Sequence, residues 1–148
     1  MTYLLDTCII SDIARKADAG LLAWASAQRP LDLHLSVLSL AEIQKGIELL
    51  PRSVGKERRE ELREWLQRDL PAQFAGRLLP VDDIVALAYG LIAGLGQRER
   101  RPLPVIDGLL LATAETHGLT LVTRNLRDVE GRGVPVFSPY SGARHSGS

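Results

Sequence analysis

Four acidic residues stand beside apolar stretches of the chain that we expect to be buried. Asp6 follows the run YLL, and Asp107 interrupts VIDGLLLA. Glu42 lies within SVLSLAEI, and Asp128 comes shortly after LTLVT. An ionised carboxylate is costly to bury without a partner, so four such positions favour one shared cause. A metal ion bound by all four acids is the simplest explanation.

These side chains predict Mg²⁺ or Mn²⁺ as the metal. Both ions prefer carboxylate oxygens and keep some of their water. Cys8 is the only cysteine, and the histidines at 34, 117 and 145 are too scattered for a zinc site. A water-rich metal held by acids suits phosphodiester hydrolysis, because it activates a water molecule and stabilises charge on the phosphate.

Each acid also has a purely structural explanation. Asp6 fits the N-cap of the helix that follows it, and Asp128 fits the cap of a turn. Ser39 and Glu42 fit a capping box, in which the glutamate bonds back to the first residue of its helix. Asp107 in the first turn of a helix gains up to about 1 kcal/mol from the helix dipole. These explanations stay open, but they require four separate reasons where a shared metal requires one.

The composition is that of a single globular domain. The chain has 148 residues, of which 45% are hydrophobic and 24% charged, and 18 basic residues balance 18 acidic ones. Without net charge, any contact with nucleic acid must come from a local cluster of arginines. One cysteine suits a reducing compartment, and neither a signal peptide nor a membrane span is indicated. We therefore expect a cytoplasmic protein.

The elements that must position the acids follow from hydrophobic periodicity and from proline and glycine stops. Strands are predicted at about 2–6, 31–36, 77–80, 120–123 and, as an edge strand, 134–137. Helices are predicted at about 8–15, 18–28, 39–50, 54–70 (ending before a proline), 82–96 and 104–117. Strands alternating with helices predict a parallel sheet in three layers. We expect one domain at 1–140 and a flexible Gly/Ser-rich tail at 141–148. Sites in such proteins form at the carboxyl ends of the strands, where Asp6 lies.

Four segments together resemble the PIN-domain ribonucleases, and among them the VapC-type toxins of type II toxin–antitoxin pairs. The segments are LLDT at 4–7, LSVLSLAEIQKGIELLP at 35–51, PLPVIDGLLLATA at 102–114 and LTLVTRNLRD at 119–128. The resemblance extends from Tyr3 to about Tyr140. Any one segment would be a weak match, but their order and spacing together are specific.

The resemblance implies a PIN-like three-layer α/β/α sandwich with a mainly parallel central sheet. It also implies a Mg²⁺- or Mn²⁺-dependent endoribonuclease that acts on RNA, a homodimer or a larger assembly, and a VapB-type antitoxin that blocks the active site.

The residues implied to act in catalysis and metal binding are Asp6, Glu42, Asp107 and, at the fourth position, Asp128 with Asn125 as a polar helper. Thr7 and Thr123 are expected to support these acids through hydrogen bonds. Cys8 stands where such proteins commonly carry asparagine.

Several arginines are candidates for RNA contact. Arg124 and Arg127 flank the acidic site, and Arg100 and Arg101 lie upstream of Asp107. The basic residues of the helix at 54–70 are better explained as a solvated face on which acids and arginines pair, such as Glu64 with Arg68.

Three other classes of protein were compared with the pattern. A haloacid-dehalogenase-like phosphatase needs a second acid two residues after the first, where this chain has Cys8. A phosphoacceptor signalling domain needs a lysine after a later strand, whereas the lysines here lie in helical contexts. A catalytically inactive PIN-like module that binds RNA or protein stays open as the alternative to an enzyme.

Overall fold

A five-stranded sheet forms the centre of the computed structural model, which describes residues 1–142. Its strands are β1 (Tyr3–Leu5), β2 (Leu33–Ser36), β3 (Leu78–Leu79), β4 (Thr120–Val122) and β5 (Val136–Phe137). They lie in the order β3-β2-β1-β4-β5, and each neighbouring pair is parallel. The structure thus confirms the predicted parallel sheet, with β5 at one edge.

Helices cover both faces of this sheet. They are α1 (Thr7–Ala14), α2 (Ala19–Ala27), α3 (Val37–Glu48), α4 (Lys56–Glu64), α5 (Leu70–Gln73), α6 (Asp83–Arg98) and α7 (Val105–His117). Leu4 packs in a core with residues of α6 and α7, whereas its neighbour Leu5 packs in a second core with residues of α1, α2 and α3. Successive strand residues point to opposite faces, so the two leucines join the sheet to both helical layers. Each buried leucine stabilises the fold by roughly 1.5–3 kcal/mol.

The strand register brings three chain segments together at the carboxyl ends of the parallel strands. Leu5 pairs with Leu35 on one side and with Val122 on the other. The residues that follow these three positions, Asp6, Ser36 and Thr123, are therefore neighbours at the carboxyl ends of β1, β2 and β4.

The sequence predicted that the charged helix ends before Pro71, but the helix continues through this proline. After α4 the chain forms a π-helical stretch, Trp65–Asp69, and continues into α5. The amide of Leu70 donates to the carbonyl of Trp65, five residues back. A proline lacks an amide hydrogen and clashes with the preceding turn, and the wider π-turn accommodates it without ending the helix.

Two other boundaries differ from the prediction. The strand expected from residue 31 begins at Leu33, because Pro30–Asp32 forms a 3₁₀ turn. The helix expected from Ser39 begins at Val37, and the hydroxyl of Ser36 caps it by accepting a hydrogen bond from the amide of Leu38 at 3.1 Å. The proposed capping box between Ser39 and Glu42 is therefore wrong.

The C-terminal segment of the described chain is attached to α2. Ser141 donates to Oδ2 of Asp18 from its amide at 3.0 Å and from its hydroxyl at 3.2 Å, so the first residue of the predicted tail has fixed contacts. The remainder of that tail, 143–148, lies outside the described residues. Within the described part, no helix is both long enough and apolar enough to cross a membrane.

Candidate active site

Asp6 is held at the end of β1 by hydrogen bonds to both carboxylate oxygens. The amide of Thr7 donates to Oδ1 at 2.6 Å, and the hydroxyl of Thr123 donates to Oδ2 at 2.8 Å. Asp6 is thus the N-cap of α1, as its structural explanation required, and it also lines a cleft at the edge of the sheet. The two roles are compatible, because a carboxylate has about four acceptor sites and these bonds use two of them.

Glu42 is held by Thr7, the threonine whose amide also bonds to Asp6. The hydroxyl of Thr7 donates to Oε1 of Glu42 at 2.5 Å and lies 2.9 Å from the hydroxyl of Ser39, which is fully buried. Glu42 therefore bonds to α1 and not to the first residue of its own helix, as the capping box would require. Thr7 therefore fixes Asp6 through its amide and Glu42 through its side chain.

Asp107 lies in the first turn of α7, as predicted, with Pro104 at the N-cap. Burial raises the pKa of its carboxyl group, and the negative charges of Asp6, Asp128 and Glu42 raise it further. The charge of Arg132 opposes this rise without cancelling it. Asp107 is thus close enough to the other three acids to be repelled by each of them.

Asp128 lies in the loop after β4, and two arginines brace that loop. Arg132 donates from Nε to the carbonyl of Asp128 at 2.7 Å and from Nη1 to the carbonyl of Arg101 at 3.0 Å. Arg101 in turn donates to the carbonyl of Arg127 at 2.9 Å. The side chain of Asn125 accepts a hydrogen bond from the amide of Arg127 at 3.0 Å. Asn125 and Arg101, both predicted to act at the site, therefore shape the loop that carries Asp128.

The four acids line one open cleft of about 420 Å³. Polar residues complete its wall: Thr7, Ser11, Thr123, Arg124 and Asn125. Among residues 1–142, no three histidine, cysteine or acidic side chains are grouped closely enough to grip one ion together. Carboxylate oxygens are nevertheless the donors that Mg²⁺ and Mn²⁺ prefer, and Mg²⁺ usually binds through only one or two of them.

A PIN domain model matches residues 3–129, which include all four acids. The chain belongs to the PIN domain family. It is 33% identical to Toxin FitB of Neisseria gonorrhoeae over 138 residues, which cover 93% of this chain and 97% of that protein. It is 30% identical to the VapC ribonuclease Y4jK of Sinorhizobium fredii over 141 residues, which cover 95% of this chain and 99% of that protein.

The fold of this PIN domain is also that of a solved relative. The crystal structure of FitAcB from Neisseria gonorrhoeae superposes with a TM-score of 0.85 at 32% identity, covering 93% of this chain and 98% of that one. The comparison confirms the predicted PIN-like α/β/α architecture.

One buried acid of the PIN domain was not found from the sequence. Asp12 on α1 is only 2% exposed. Its Oδ2 accepts hydrogen bonds from the hydroxyl of Tyr140 at 2.6 Å and from Nη1 of Arg124 at 3.2 Å, and Arg15 bonds to Oδ1. Burial alone would raise the pKa of Asp12, but these donors lower it overall. A sequence signal was present, because Asp12 lies between Ile10 and Ile13 on a helix with an apolar face.

Cys8 lies beside the acids but stays a neutral thiol at physiological pH. Burial raises its pKa to about 11, with a further contribution from the charge of Asp6. A neutral thiol is a weak ligand for hard cations, so Cys8 contributes packing at this position.

The basic residues of α4 and the π-helical stretch are largely paired, as predicted. Arg68 bonds to Glu64 at 2.8 Å, and Arg63 bonds to Glu60 at 2.6 Å and to Glu48 at 3.0 Å. Arg59 instead donates to backbone carbonyls at the end of α3, including that of Leu50 at 2.8 Å. This surface resembles an ordinary solvated helix face more than a nucleic-acid site.

Proposed function

We propose that this PIN domain is a metal-dependent endoribonuclease that acts as the toxin of a toxin–antitoxin pair in the cytoplasm. The observation that carries the proposal is the single cleft lined by Asp6, Glu42, Asp107 and Asp128, in which burial and the charges of the other three acids raise the pKa of Asp107. Repulsion of Asp107 by the other acids, which the charge of Arg132 does not cancel, favours the binding of a cation. The kinship with a VapC ribonuclease supports RNA as the substrate.

The four acids would hold Mg²⁺ or Mn²⁺, which when bound supplies an activated water and stabilises negative charge on the phosphate. Thr7 and Thr123 hold Asp6 in a fixed orientation, and Thr7 also orients Glu42. Fixed ligands lower the cost of reorganisation when charge develops. The bonds of Arg132 and Arg101 to backbone carbonyls likewise hold the loop that carries Asp128.

The direct experiment incubates the purified chain with single-stranded and looped RNA in Mg²⁺, in Mn²⁺ and in chelator. We expect cleavage with either metal and none after exhaustive chelation. Asp6→Asn should be inactive, whereas Asp32→Asn, which makes the same change at the amino-terminal end of β2, should cleave like wild type. Cleavage that survives chelation, or an active Asp6→Asn, would remove the basis of the proposal.

A catalytically inactive PIN-like binding module is the second candidate. It is favoured by the finding that, within the described chain, no three potential ligands are grouped around one point. This candidate predicts RNA or protein binding without cleavage in any metal, so the same incubation separates the two functions.

An antitoxin is the proposed protein partner, since the relative FitB is named a toxin and a protein of similar fold is described in a toxin–antitoxin complex. A largely apolar groove of about 390 Å³ between α1, α3 and α4 adjoins the acidic cleft, and Thr7, Ser11 and Glu42 line both. An antitoxin segment with apolar side chains in the groove would carry an arginine onto the acids, where its planar fork suits carboxylates. Expression of the chain alone should then slow growth of its host. An Asp107→Asn variant that is as toxic as wild type would argue against the role of the cleft.

We also propose a homodimer. The outer face of α6 exposes Ile84, Leu87, Leu91 and Leu95, each more than half exposed and spaced to form one stripe. Such a stripe is costly in water and suits a symmetric contact between two copies of the chain. Leu91→Glu should convert the dimer to a monomer in light scattering. A wild-type monomer at micromolar concentration would contradict this proposal.

A further inference from the structure

Three donors meet at the buried carboxylate of Asp12, and two of them, Tyr140 and Arg124, come from distant parts of the chain. Its Oδ2 accepts from Tyr140 and from Arg124, and Arg15 bonds to its other oxygen. Burying a carboxylate without partners is strongly unfavourable, so these donors are what permits Asp12 to be 2% exposed. Asp12 itself is not among the residues that line the acidic cleft.

Arg124 connects this buried cluster with the cleft. It directly follows Thr123, whose hydroxyl bonds to Asp6. The Arg124 side chain lines the cleft and is 58% exposed, while its Nη1 is bonded to Asp12. A guanidinium group has five N–H donors, so the bond to Asp12 leaves donors for a ligand in the cleft.

The ion pair with Asp12 also keeps the charge of Arg124 from pairing with the four acids of the cleft. A mobile arginine beside four acids would be drawn to one of them, and it would compete with a metal ion for the carboxylates. Among the ion pairs of the described residues, Arg124 pairs with Asp12 and with none of the four cleft acids. An arginine fixed in this way has also lost much of its rotamer freedom in advance, so contact with a ligand costs less entropy.

We infer that Asp12, together with Tyr140, is a positioning residue that holds the Arg124 guanidinium at the rim of the acidic cleft to receive a backbone phosphate of the RNA substrate. The inference rests on the proposed ribonuclease function. The phosphate that contacts Arg124 is the one next to the scissile phosphate, because the scissile phosphate itself must approach the four acids. Asp12 acts through Arg124 and does not touch the substrate.

The direction in which one substitution changes RNA affinity distinguishes this positioning role from a purely electrostatic effect of the Asp12 charge. Removing a carboxylate near an RNA site should tighten RNA binding, because RNA is a polyanion. If Asp12 positions Arg124, Asp12→Asn should instead weaken binding despite the lost negative charge. Asp32→Asn removes the same charge at the opposite edge of the sheet and serves as the matched control.

The test measures binding of a fluorescent single-stranded RNA in chelator, and KM and kcat for cleavage in Mn²⁺. The proteins are wild type, Asp12→Asn, Tyr140→Phe, Arg124→Ala, the Asp12→Asn/Arg124→Ala double variant and Asp32→Asn, each first shown to be folded by circular dichroism. We expect Arg124→Ala and Asp12→Asn to bind RNA on the order of tenfold more weakly. Both should raise KM more than they lower kcat, with Tyr140→Phe intermediate and Asp32→Asn unchanged. The slope of log affinity against log salt concentration should become shallower by about 0.7 in Arg124→Ala and in Asp12→Asn, as expected for one lost phosphate contact.

The double variant supplies the decisive comparison, because residues that act through one another do not add. It should bind no more weakly than Arg124→Ala alone. Additive losses, or an Asp12→Asn protein that binds and cleaves RNA like wild type, would overturn the positioning role while leaving the ribonuclease proposal intact. If wild type neither binds nor cleaves RNA in any metal, the ribonuclease proposal itself fails, and the inference fails with it.

Discussion

Asp12 and Asp107 are two carboxylates of one fold in opposite electrostatic situations. Asp12 is surrounded by Tyr140, Arg124 and Arg15, and the pKa of its carboxyl group is lowered despite burial. Asp107 meets mainly other acids, and burial together with their charges raises its pKa. Asp12 has its countercharges within the fold, whereas the charge of Arg132 does not cancel the effect of burial and of the other acids on Asp107. The contrast indicates that the cleft leaves a deficit of positive charge that a metal ion, or an antitoxin arginine, would fill.

The largest expected difference between the two acids is catalytic. Asp107→Asn should reduce metal-dependent RNA cleavage by more than about 100-fold, since even residues outside the first ligands of a metal contribute about 10–100-fold. Asp12→Asn should lose on the order of tenfold, because only the contact through Arg124 is affected. Initial rates at a low, fixed RNA concentration in Mn²⁺ measure both. Equal losses of cleavage rate in the two variants would contradict the different roles proposed for Asp107 and Asp12.

Stability in chelator should change in opposite directions. Asp107→Asn removes a repelling charge while keeping the shape of the side chain, so its melting temperature should rise. Asp12→Asn weakens charged hydrogen bonds of a buried group and should lower stability by about 1–3 kcal/mol. At about 2–4 °C per kcal/mol for a chain of this size, thermal melts resolve these shifts. A destabilised Asp107→Asn would mean that its carboxylate mainly stabilises the first turn of α7 through the helix dipole.

The contribution of Asp12 should depend on pH in a defined direction. Its folded pKa lies below the ordinary value of 3.8, so the stabilisation is fully present above pH 3.8 and is lost as the pH falls through the folded pKa. The stability difference between wild type and Asp12→Asn should therefore be constant from about pH 7 to pH 5 and shrink towards pH 3. A difference that grows as the pH falls would have the wrong sign.

The smallest effect is expected on the paired helix face. Glu64→Gln removes one partner of the Glu64–Arg68 ion pair, in which both side chains are more than half exposed. Such surface pairs contribute between zero and about 1 kcal/mol. We expect a change of less than about 0.5 kcal/mol and an unaltered rate of RNA cleavage. A clear loss of activity would show that this face, and not only the cleft, contacts the substrate.

The sequence predicted the acids of the cleft better than it predicted the contacts that position them. Asp6 and Asp107 could be identified because an acid within an apolar run is conspicuous, and the parallel sheet followed from alternating strands and helices. The cluster of Asp12 could not be identified, because Tyr140 and Arg124 lie 128 and 112 residues away along the chain. Local rules also failed at Pro71, where tertiary packing continues the helix through a π-turn, and at Ser39, whose hydroxyl faces Thr7 and does not cap a helix.

Binding of Mn²⁺ to the protein without RNA shows whether the acids of the cleft form a cation site. Electron paramagnetic resonance of free Mn²⁺ can follow the titration of wild type, Asp107→Asn and Asp12→Asn. We predict that wild type and Asp12→Asn bind Mn²⁺ with similar affinity and that Asp107→Asn binds at least about tenfold more weakly. Equal affinity in wild type and Asp107→Asn, or no binding by folded wild type, would contradict the account.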